Sequence, residues 1–279
     1  MANNLRVIVY CLLCFGLCWV GKQAYGLFHP RARVDKEMTA RDNLAFAVPL
    51  GAYYLGILIV MGAPLSGQAR GSLLEDGLSV IAWGLLAVLL LNLASLVKRR
   101  FVFRRLDLFG EILERNNLAA GIVVAGFHIA SALLVLGALA EEGGLLPAAV
   151  FWVYALLLLT LAAAAFLRMV HYDIAAEVRK GNQAVALSLA GVLVAMGNVL
   201  RMAISGPFEG WAAGFAAATG YALVGLALLF ATRFLLDWLL LPGVTIRQEV
   251  LGQAVPNIGV GYLEALFYLG ASFLVGWSL

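Results

Sequence analysis

The chain has 279 residues, of which 63% are hydrophobic and 13% are charged, and its mean hydropathy is +0.94. Soluble proteins carry about 25% charged residues, so this composition excludes an ordinary soluble domain. The net charge of +3 is small, and the charges lie in short clusters between apolar runs. These runs have the length of about 20 residues that an α-helix needs to cross a bilayer, which predicts an all-α membrane protein.

Eight transmembrane helices are predicted, at about 5–27, 44–66, 73–97, 117–140, 145–169, 183–205, 208–232 and 253–278. The first span contains Cys11, Cys14 and Cys18, which we interpret as small apolar residues packed within a helix. No small-residue cleavage pattern follows this span, so we expect a mature helix rather than a secretory signal.

A recurring opening groups the spans into pairs. Asn43, Asn117 and Asn182 begin the second, fourth and sixth spans, each followed by small apolar residues, and Gln253 begins the eighth. The repeating unit is therefore predicted to be a pair of helices, present four times. Because a unit contains two spans, successive units enter the membrane in the same direction, as four parallel repeats. The halves 1–141 and 142–279 are predicted to be domains of two units each.

The even-numbered spans are expected at the centre of the bundle because they are rich in small residues. Gly126, Gly191 and Gly261 are examples. Small residues let helix backbones approach closely in lipid, where no hydrophobic force drives helices together.

The distribution of Lys and Arg predicts the topology. Sixteen of the nineteen fall on one side of the predicted spans. The positive-inside rule makes that side cytoplasmic, which predicts a multi-pass protein of the bacterial inner membrane with both termini periplasmic. The densest cluster consists of Lys98, Arg99, Arg100, Arg104 and Arg105.

This basic cluster alternates with Phe101 and Phe103, a pattern also found in nucleic-acid-binding segments. Positive-inside bias and an interfacial position explain it better, so we expect contact with anionic lipid at the cytoplasmic face and no nucleic acid. An acidic cytoplasmic protein or a membrane protein is the alternative partner, and a homo-oligomer is compatible with the pattern. The next residues, around Leu108 and Ile112, are amphipathic at helical spacing and predict a helix on this surface.

Ionisable residues inside a membrane are costly and are candidates for function. His128 and Glu264 each lie eleven residues after the opening of their span, about 16 Å along a helix. We expect them to meet across the centre, either as a proton or cation site or as a structural hydrogen bond. Asn198, Arg201 and Asn257 are further intramembrane polar candidates, each expected to connect helices.

No catalytic motif is present in the sequence. It lacks the nucleophile elbow, the P-loop, the paired-histidine zinc motif and zinc-type Cys/His spacing. We therefore expect no enzyme, no cofactor and no metal site.

The segment from Gly181 to Gly191, which opens with Asn182-Gln183-Ala184-Val185-Ala186 and continues to Arg201, resembles the repeated motif of the YjfL-like bacterial inner-membrane proteins. The resemblance implies a bacterial inner-membrane location and no known reaction. Members usually have two units, so this chain resembles a doubled form. The fourth unit departs from the motif, because Gly252 replaces the asparagine and no arginine corresponds to Arg201.

Two functions remain open from the sequence. The first is a scaffold or partner in envelope homeostasis or stress. The alternative is a transporter or channel for a small cation or a proton-coupled solute, using His128 and Glu264. Transport requires a hydrated path to those side chains, whereas a scaffold requires packed helices and a recognisable inner surface.

Overall fold

The computed structural model describes residues 2–66, 72–97, 107–140, 144–241 and 243–278. Within these ranges, eight helices are long and apolar enough to cross a membrane, which confirms the all-α class and the eight spans. The helices are α1 (Ala2–Phe28), α2 (Leu44–Val60), α3 (Gly62–Ser66), α4 (Leu73–Val97), α5 (Leu108–Arg115), α6 (Leu118–Leu139), α7 (Leu145–Met169), α8 (Ile174–Arg179), α9 (Gln183–Ile204), α10 (Trp211–Leu240), α11 (Ile246–Leu251) and α12 (Ile258–Ser278). A π-helical segment, Lys36–Ala40, precedes α2.

Two helix boundaries differ from the sequence expectation. Helix α10 continues to Leu240 instead of ending near 232, because its charges are compensated: Arg233 pairs with Glu264, and Asp237 accepts a hydrogen bond from the backbone of Ile246. Helix α12 begins at Ile258 rather than near 253. Pro256 disfavours a helical conformation at the residue before it, so the chain from Gln253 to Asn257 is a connection and not the first turn.

Short helical segments precede all four of the helices predicted to be central. They are the π-helical segment Lys36–Ala40, α5, α8 and α11, and they lie beside α2, α6, α9 and α12 respectively. Asp107, Asp173 and Thr245 cap α5, α8 and α11, each accepting a hydrogen bond from a backbone N–H of the first turn. The sequence predicted only α5. We call this side of the bundle the basic end.

The helices α2, α6, α9 and α12 form a row, the central row, in which each packs against the next. The contacts are close: a Cβ added to Gly126 in α6 would lie 2.6 Å from the Cα of Ala190 in α9, and one added to Gly191 in α9 would lie 2.4 Å from the Cα of Ala265 in α12. The four helices run in the same direction, because the numbers of the contacting residues increase together along each pair of neighbouring helices. The largest buried apolar side chains of α6 and α9, including Phe127, Leu134 and Leu193, lie in this row.

The remaining long helices cover the grooves of the central row. Helix α4 packs on α2 and α6, α7 packs on α6 and α9, and α10 packs on α9 and α12. At Gly225 in α10, an added Cβ would lie 2.5 Å from Val199 and 3.2 Å from Val275, one on each side of the groove. Helix α1 packs mainly on α4 and also on α2.

Candidate functional site

A glutamate and an asparagine meet at the entry to every helix of the central row. We call these four contacts the Glu–Asn junctions: Glu37 with Asn43, Glu111 with Asn117, Glu177 with Asn182, and Glu249 with Asn257. In each junction the asparagine Nδ2 donates to the glutamate Oε2 over 2.9–3.0 Å. The asparagine backbone N–H also donates to the glutamate carbonyl oxygen. Each asparagine side chain accepts a hydrogen bond from a first-turn N–H and so caps its helix.

The first three junctions also connect neighbouring units. Asn43 Nδ2 donates to the carbonyl oxygen of Ile112 at 3.0 Å, Asn117 to that of Val178 at 2.7 Å, and Asn182 to that of Val250 at 2.9 Å. One amide group therefore holds the glutamate of its own unit and the short helix of the next. This arrangement joins the short helices of the basic end into one continuous surface.

The charge of the junction glutamate is compensated in two ways. Arg41, Arg115 and Lys180 pair with the first three glutamates at 3.0, 3.1 and 2.6 Å. Burial raises the pKa of the Glu177 carboxyl, but its hydrogen bonds from Lys180 and Asn182 outweigh burial and lower that pKa overall. In the fourth junction, Gln253 donates from Nε2 to Glu249 at 2.7 Å and takes the place of the cation.

The fourth junction corrects the sequence interpretation of Gln253. This residue does not open the eighth span, and Gly252 does not replace an asparagine. The equivalent asparagine is Asn257, which lies eight residues after its glutamate instead of five or six. The longer connection, which contains Pro256, concealed the correspondence of Asn257 to the other three asparagines in the sequence. The glutamate that shortly precedes each of the four asparagines could have identified it.

His128 lies in α6 at the centre of a buried cluster in the first half. Its Nδ1 is 3.0 Å from the carbonyl oxygen of Pro49 in α2, and its Nε2 is 3.2 Å from the Ser95 hydroxyl in α4. The carbonyl can only accept, and the hydroxyl can donate, so a neutral imidazole satisfies both contacts. His128 thus connects three helices.

Aromatic and amide side chains surround His128. The rings of Tyr53 and Tyr25 lie 5.8 and 6.2 Å from the imidazole, and Tyr25 stacks on His29 at 4.4 Å. Asn92 Nδ2 donates to the Tyr53 hydroxyl at 2.7 Å, and that hydroxyl donates to the carbonyl oxygen of Gly21 at 3.2 Å. We call His128, Ser95, Tyr53 and Asn92 the histidine cluster.

Glu264 lies in α12 in a second, ionic cluster. Arg233 Nη1 in α10 contacts Glu264 Oε1 at 3.0 Å, and the Ser188 hydroxyl in α9 donates to Oε2 at 2.5 Å. Glu264 is 2% exposed. The Arg233 guanidinium also lies 5.9 Å above the ring of Phe166 in α7. We call Glu264, Arg233 and Ser188 the glutamate cluster.

Tyr172 is a partly buried tyrosine whose phenol is influenced by the charge of the glutamate cluster. It lies between α7 and α8, outside the membrane-spanning helices. Burial and the nearby negative charge of Glu264 raise the pKa of Tyr172 to about 12. The phenol is therefore neutral at physiological pH and can donate a hydrogen bond.

The structure does not bring His128 and Glu264 together. Helix α9 separates α6 from α12 in the central row, and His128 makes its contacts on the other side of α6, with α2 and α4. Their depths also differ, because Glu264 follows its capping asparagine by seven residues and His128 by eleven. Glu264 is therefore about 9 Å from the start of α12, closer to the basic end than expected. The expected pair was wrong in both partner and depth.

Of the other polar candidates, Asn198 and Asn257 bond to neighbouring helices, whereas Arg201 bonds within its own helix. Asn198 Nδ2 in α9 donates to the Ser272 hydroxyl in α12 at 3.1 Å, and Arg201 Nε donates to Asn198 Oδ1 at 3.1 Å. Asn257 belongs to the fourth Glu–Asn junction. The basic residues Lys98, Arg99, Arg100, Arg104 and Arg105 lie outside the described residues. Within the described ranges, no group of three or more His, Cys, Asp or Glu side chains is arranged to hold a metal ion.

A basic cleft of about 310 Å³ opens at the basic end in the first half. Arg31, Arg33, Lys36 and Arg41 line one side together with Glu37, and Phe109, Leu113 and Glu114 of α5 line the other. Arg41 pairs with Glu37, and Arg31 lies 3.6 Å from Asp107. Arg33 and Lys36 are exposed.

The eight apolar helices, with polar side chains that pair inside the bundle, define a multi-pass membrane protein. The chain belongs to the DUF350 family, described as a domain of unknown function, whose model matches residues 1–139 and again residues 141–279.

Two relatives show the same kind of protein. The chain is 30% identical to a UPF0719 transmembrane protein of Aquifex aeolicus (strain VF5) over 101 residues, which cover 36% of this chain and 37% of that protein. It is 28% identical to the UPF0719 transmembrane protein YshE of Bacillus subtilis (strain 168) over 134 residues, which cover 48% of this chain and 93% of that protein. The chain thus matches little more than a third of the length of the Aquifex relative. No solved structure matches the chain.

Proposed function

We propose that the chain is a scaffold of the bacterial inner membrane, acting in envelope homeostasis or stress without catalysing a reaction. Its bacterial relatives and its resemblance to the YjfL-like proteins support this location. The excess of Lys and Arg at the basic end supports a cytoplasmic position for that end and periplasmic positions for both termini.

The observation that carries the proposal is the set of Glu–Asn junctions. Three of them join the short helix of one unit to the next, so the basic end is a continuous surface fixed to the central row. The contacts of the intramembrane polar groups also support a scaffold. His128, Glu264 and Asn198 each bond to side chains of neighbouring helices, as packing groups do.

The scaffold surface is suited to anionic lipid headgroups. The basic cleft places four cations beside the apolar side chains of α5, which matches a lipid with a negative headgroup and acyl chains. Each cation near an anionic leaflet contributes about 1 kcal/mol. In the sequence, the segment from Lys98 to Arg105 precedes α5 and contains five more cations.

Lipid retention tests this surface. The purified protein in detergent is titrated with phosphatidylglycerol or phosphatidylcholine, and the bound lipid is counted by native mass spectrometry. We expect several-fold preferential retention of phosphatidylglycerol, weakened by salt, and a several-fold loss in the triple variant Arg31→Gln/Arg33→Gln/Lys36→Gln. The matched control is Arg168→Gln/Arg179→Gln/Arg247→Gln, which removes the same charge from the basic end outside the cleft. Equal losses in both triple variants would show a net-charge effect and no cleft.

Reporter fusions test the proposed orientation. Fusions after Gln68, after Gly143 and at the C-terminus are expected to report a periplasmic position. A cytoplasmic signal at any of the three would contradict the proposed topology.

A flux assay separates this proposal from transport. The transport hypothesis depended on a joint site of His128 and Glu264, which the structure does not form. In proteoliposomes with an imposed proton or potassium gradient, we expect no flux above that of empty vesicles. Flux that the wild type shows and Glu264→Gln abolishes would replace the scaffold with a transporter.

A further inference from the structure

The interfaces of the central row repeat a set of three close contacts. Counted from the capping asparagine, small residues 2, 9 and 13 positions along one helix meet residues 4, 8 and 15 positions along the next. Each of these three contacts occurs at two interfaces. Positions 2 and 4 meet as Ala45–Gly121 and Ala184–Gly261, positions 9 and 8 as Gly126–Ala190 and Gly191–Ala265, and positions 13 and 15 as Gly56–Ala132 and Ala130–Gly197.

Both ends of the row carry the same positions, which no neighbouring helix covers in the part of the chain that the structure describes. On α12 they are Gly259, Leu266 and Gly270, which we call the α12 edge, and all three are exposed. On α2 they are Ala47, Gly51 and Leu58, the α2 edge, of which Gly51 and Leu58 are exposed. A Cβ added at Gly51 or Gly270 would meet nothing within 4 Å. Each edge is one half of an interface in which every contact occurs twice in the interior of the row, with Leu266 and Leu58 at positions where the interior has small residues.

The asparagine bonds that join one unit to the next also end at the two edges of the row. Ile112, Val178 and Val250, whose carbonyl oxygens accept from the preceding unit, each follow a junction glutamate and are each 1% exposed. In the first unit the corresponding residue is Met38, which follows Glu37 and is 40% exposed. At the other end, the Asn257 Nδ2 donates to Glu249 alone among the residues that the structure describes.

Helix α1 also has an incomplete environment. In the last unit, α10 fills the groove between α9 and α12. By analogy with α10, helix α1 would fill a groove between α2 and a further helix packed on the outer side of α2. Instead α1 packs mainly on α4 and only to a small extent on α2, and it presents Leu12, Phe15 and Trp19 outward.

We propose that a second copy of this chain continues the row, with the α12 edge of one copy packed against the α2 edge of the other. The Asn257 amide of one copy then donates to the Met38 carbonyl of its neighbour, and α1 covers the groove between the two copies. The contact is head-to-tail, so copies form a ring where both edges of every copy are used and an open row where they are not.

A second copy fits these edges better than lipid does. Lipid tails cover apolar side chains but have no donor or acceptor for the Asn257 amide or the Met38 carbonyl. Close packing at small residues is what drives helix association in a bilayer. The three internal interfaces show that these positions form this contact when the partner is present, so the edges continue an existing interface.

Glycine substitutions at the edges test the proposal. Gly51→Leu and Gly270→Leu should leave the single chain folded, because nothing lies within 4 Å of either added Cβ, and thermal unfolding checks this. In native nanodiscs, mass photometry should show the wild type as dimers or larger assemblies and each variant as monomers. Gly220→Leu, at an exposed glycine of α10 that also has open space around it, is the matched control and should keep the wild-type size.

Mixing the two edge variants tests the head-to-tail geometry. A Gly51→Leu chain retains a working α12 edge, and a Gly270→Leu chain retains a working α2 edge. The mixture should therefore form dimers, whereas each variant alone remains monomeric. A monomeric wild type, or edge variants with the wild-type size, would overturn the proposal. Monomers in the mixture would overturn the head-to-tail arrangement.

Cysteine pairs give a second measurement. In a chain with Cys11, Cys14 and Cys18 replaced by Ala, Leu58→Cys in one copy and Gly270→Cys in another should form a disulfide under mild oxidation in native membranes. Leu58→Cys with Gly220→Cys should not. Equal yields from the two pairs would indicate random collision in the membrane and would contradict a specific contact.

Discussion

The two halves of the molecule bury polar groups in opposite ways. In the first half, the histidine cluster is satisfied by neutral partners: a carbonyl oxygen, a hydroxyl and the rings of two tyrosines. In the second half, the glutamate cluster contains a carboxylate that is compensated by an arginine from another helix. The same central row supports both, so the framework does not dictate the chemistry of the side chains placed in it.

The difference predicts unequal sensitivity to mutation. Loss of one partner in the histidine cluster leaves unsatisfied neutral groups, which costs about 1–3 kcal/mol. Loss of one partner in the glutamate cluster leaves a buried charge alone, which costs about 3–5 kcal/mol.

The largest effect is expected for Arg233→Leu. It should lower the free energy of unfolding in detergent micelles by about 3–5 kcal/mol, because Glu264 loses its cation. Adding Glu264→Gln to this variant should restore much of the loss, since the amide carries no charge. Arg201→Leu, which removes an arginine bonded to a neutral asparagine, is the control and should cost less. A smaller loss for Arg233→Leu than for Arg201→Leu would contradict the ionic character of the cluster.

An intermediate effect is expected for His128→Ala. It leaves the Pro49 carbonyl and the Ser95 hydroxyl unpaired, so the free energy of unfolding should fall by about 1–3 kcal/mol. Ser131→Ala, one turn further along α6, removes only a hydrogen bond within the helix and serves as the matched control. Equal stability of the two variants would show that His128 does not hold the three helices together.

The Glu–Asn junctions should give a smaller, graded effect. Asn117→Ala removes a helix cap, which costs about 0.5–2 kcal/mol, the bond to Glu111 and also the bond to Val178 of the next unit. Asn257→Ala removes the cap and the bond to Glu249. In thermal unfolding of the single chain, Asn117→Ala should therefore be the more destabilising change. The reverse order would indicate that the bonds between units add nothing.

The smallest effect concerns acid. Because the folded-state pKa of Glu177 is lowered, its contribution to stability is fully present above the unfolded-state value of about 4.3 and is lost as the pH falls through the lower folded-state pKa. Unfolding curves at pH 7 and below pH 4 should show a small acid loss in the wild type. Glu177→Gln should show a reduced loss, and an unchanged loss in this variant would exclude Glu177 as its source.

The sequence was most informative about hydrophobic length and least informative about the partners of polar groups. The apolar run 145–169, whose one charged residue is Arg168 near its end, predicted α7 to the residue, because length and apolarity decide a membrane helix. The end of α10 was missed because Arg233 was interpreted as a boundary, when its charge is compensated by a residue 31 positions away. Such pairing depends on which helices are neighbours.

The candidate site shows the same limit. Glu264 and His128 lie eleven residues after Gln253 and Asn117 respectively, which suggested equal depth in the membrane. The longer fourth connection makes Asn257, and not Gln253, the residue equivalent to Asn117. The capping asparagines at 43, 117 and 182 were recognised from the repeat. Their glutamate partners lie five or six residues earlier, and apart from Glu111 in the predicted α5 they lie in segments that appeared to be loops. Short helices there depend on tertiary contacts more than on local pattern.

The separation of the two clusters is tested most directly by double-mutant cycles on unfolding free energy. The cycle of His128→Ala with Glu264→Gln should be additive within about 0.5 kcal/mol, because the two residues share no partner and α9 stands between their helices. The cycle of Arg233→Leu with Glu264→Gln should show strong coupling, well above 1 kcal/mol. Coupling above 1 kcal/mol between His128 and Glu264 would contradict separate structural clusters and support one joint site in the membrane.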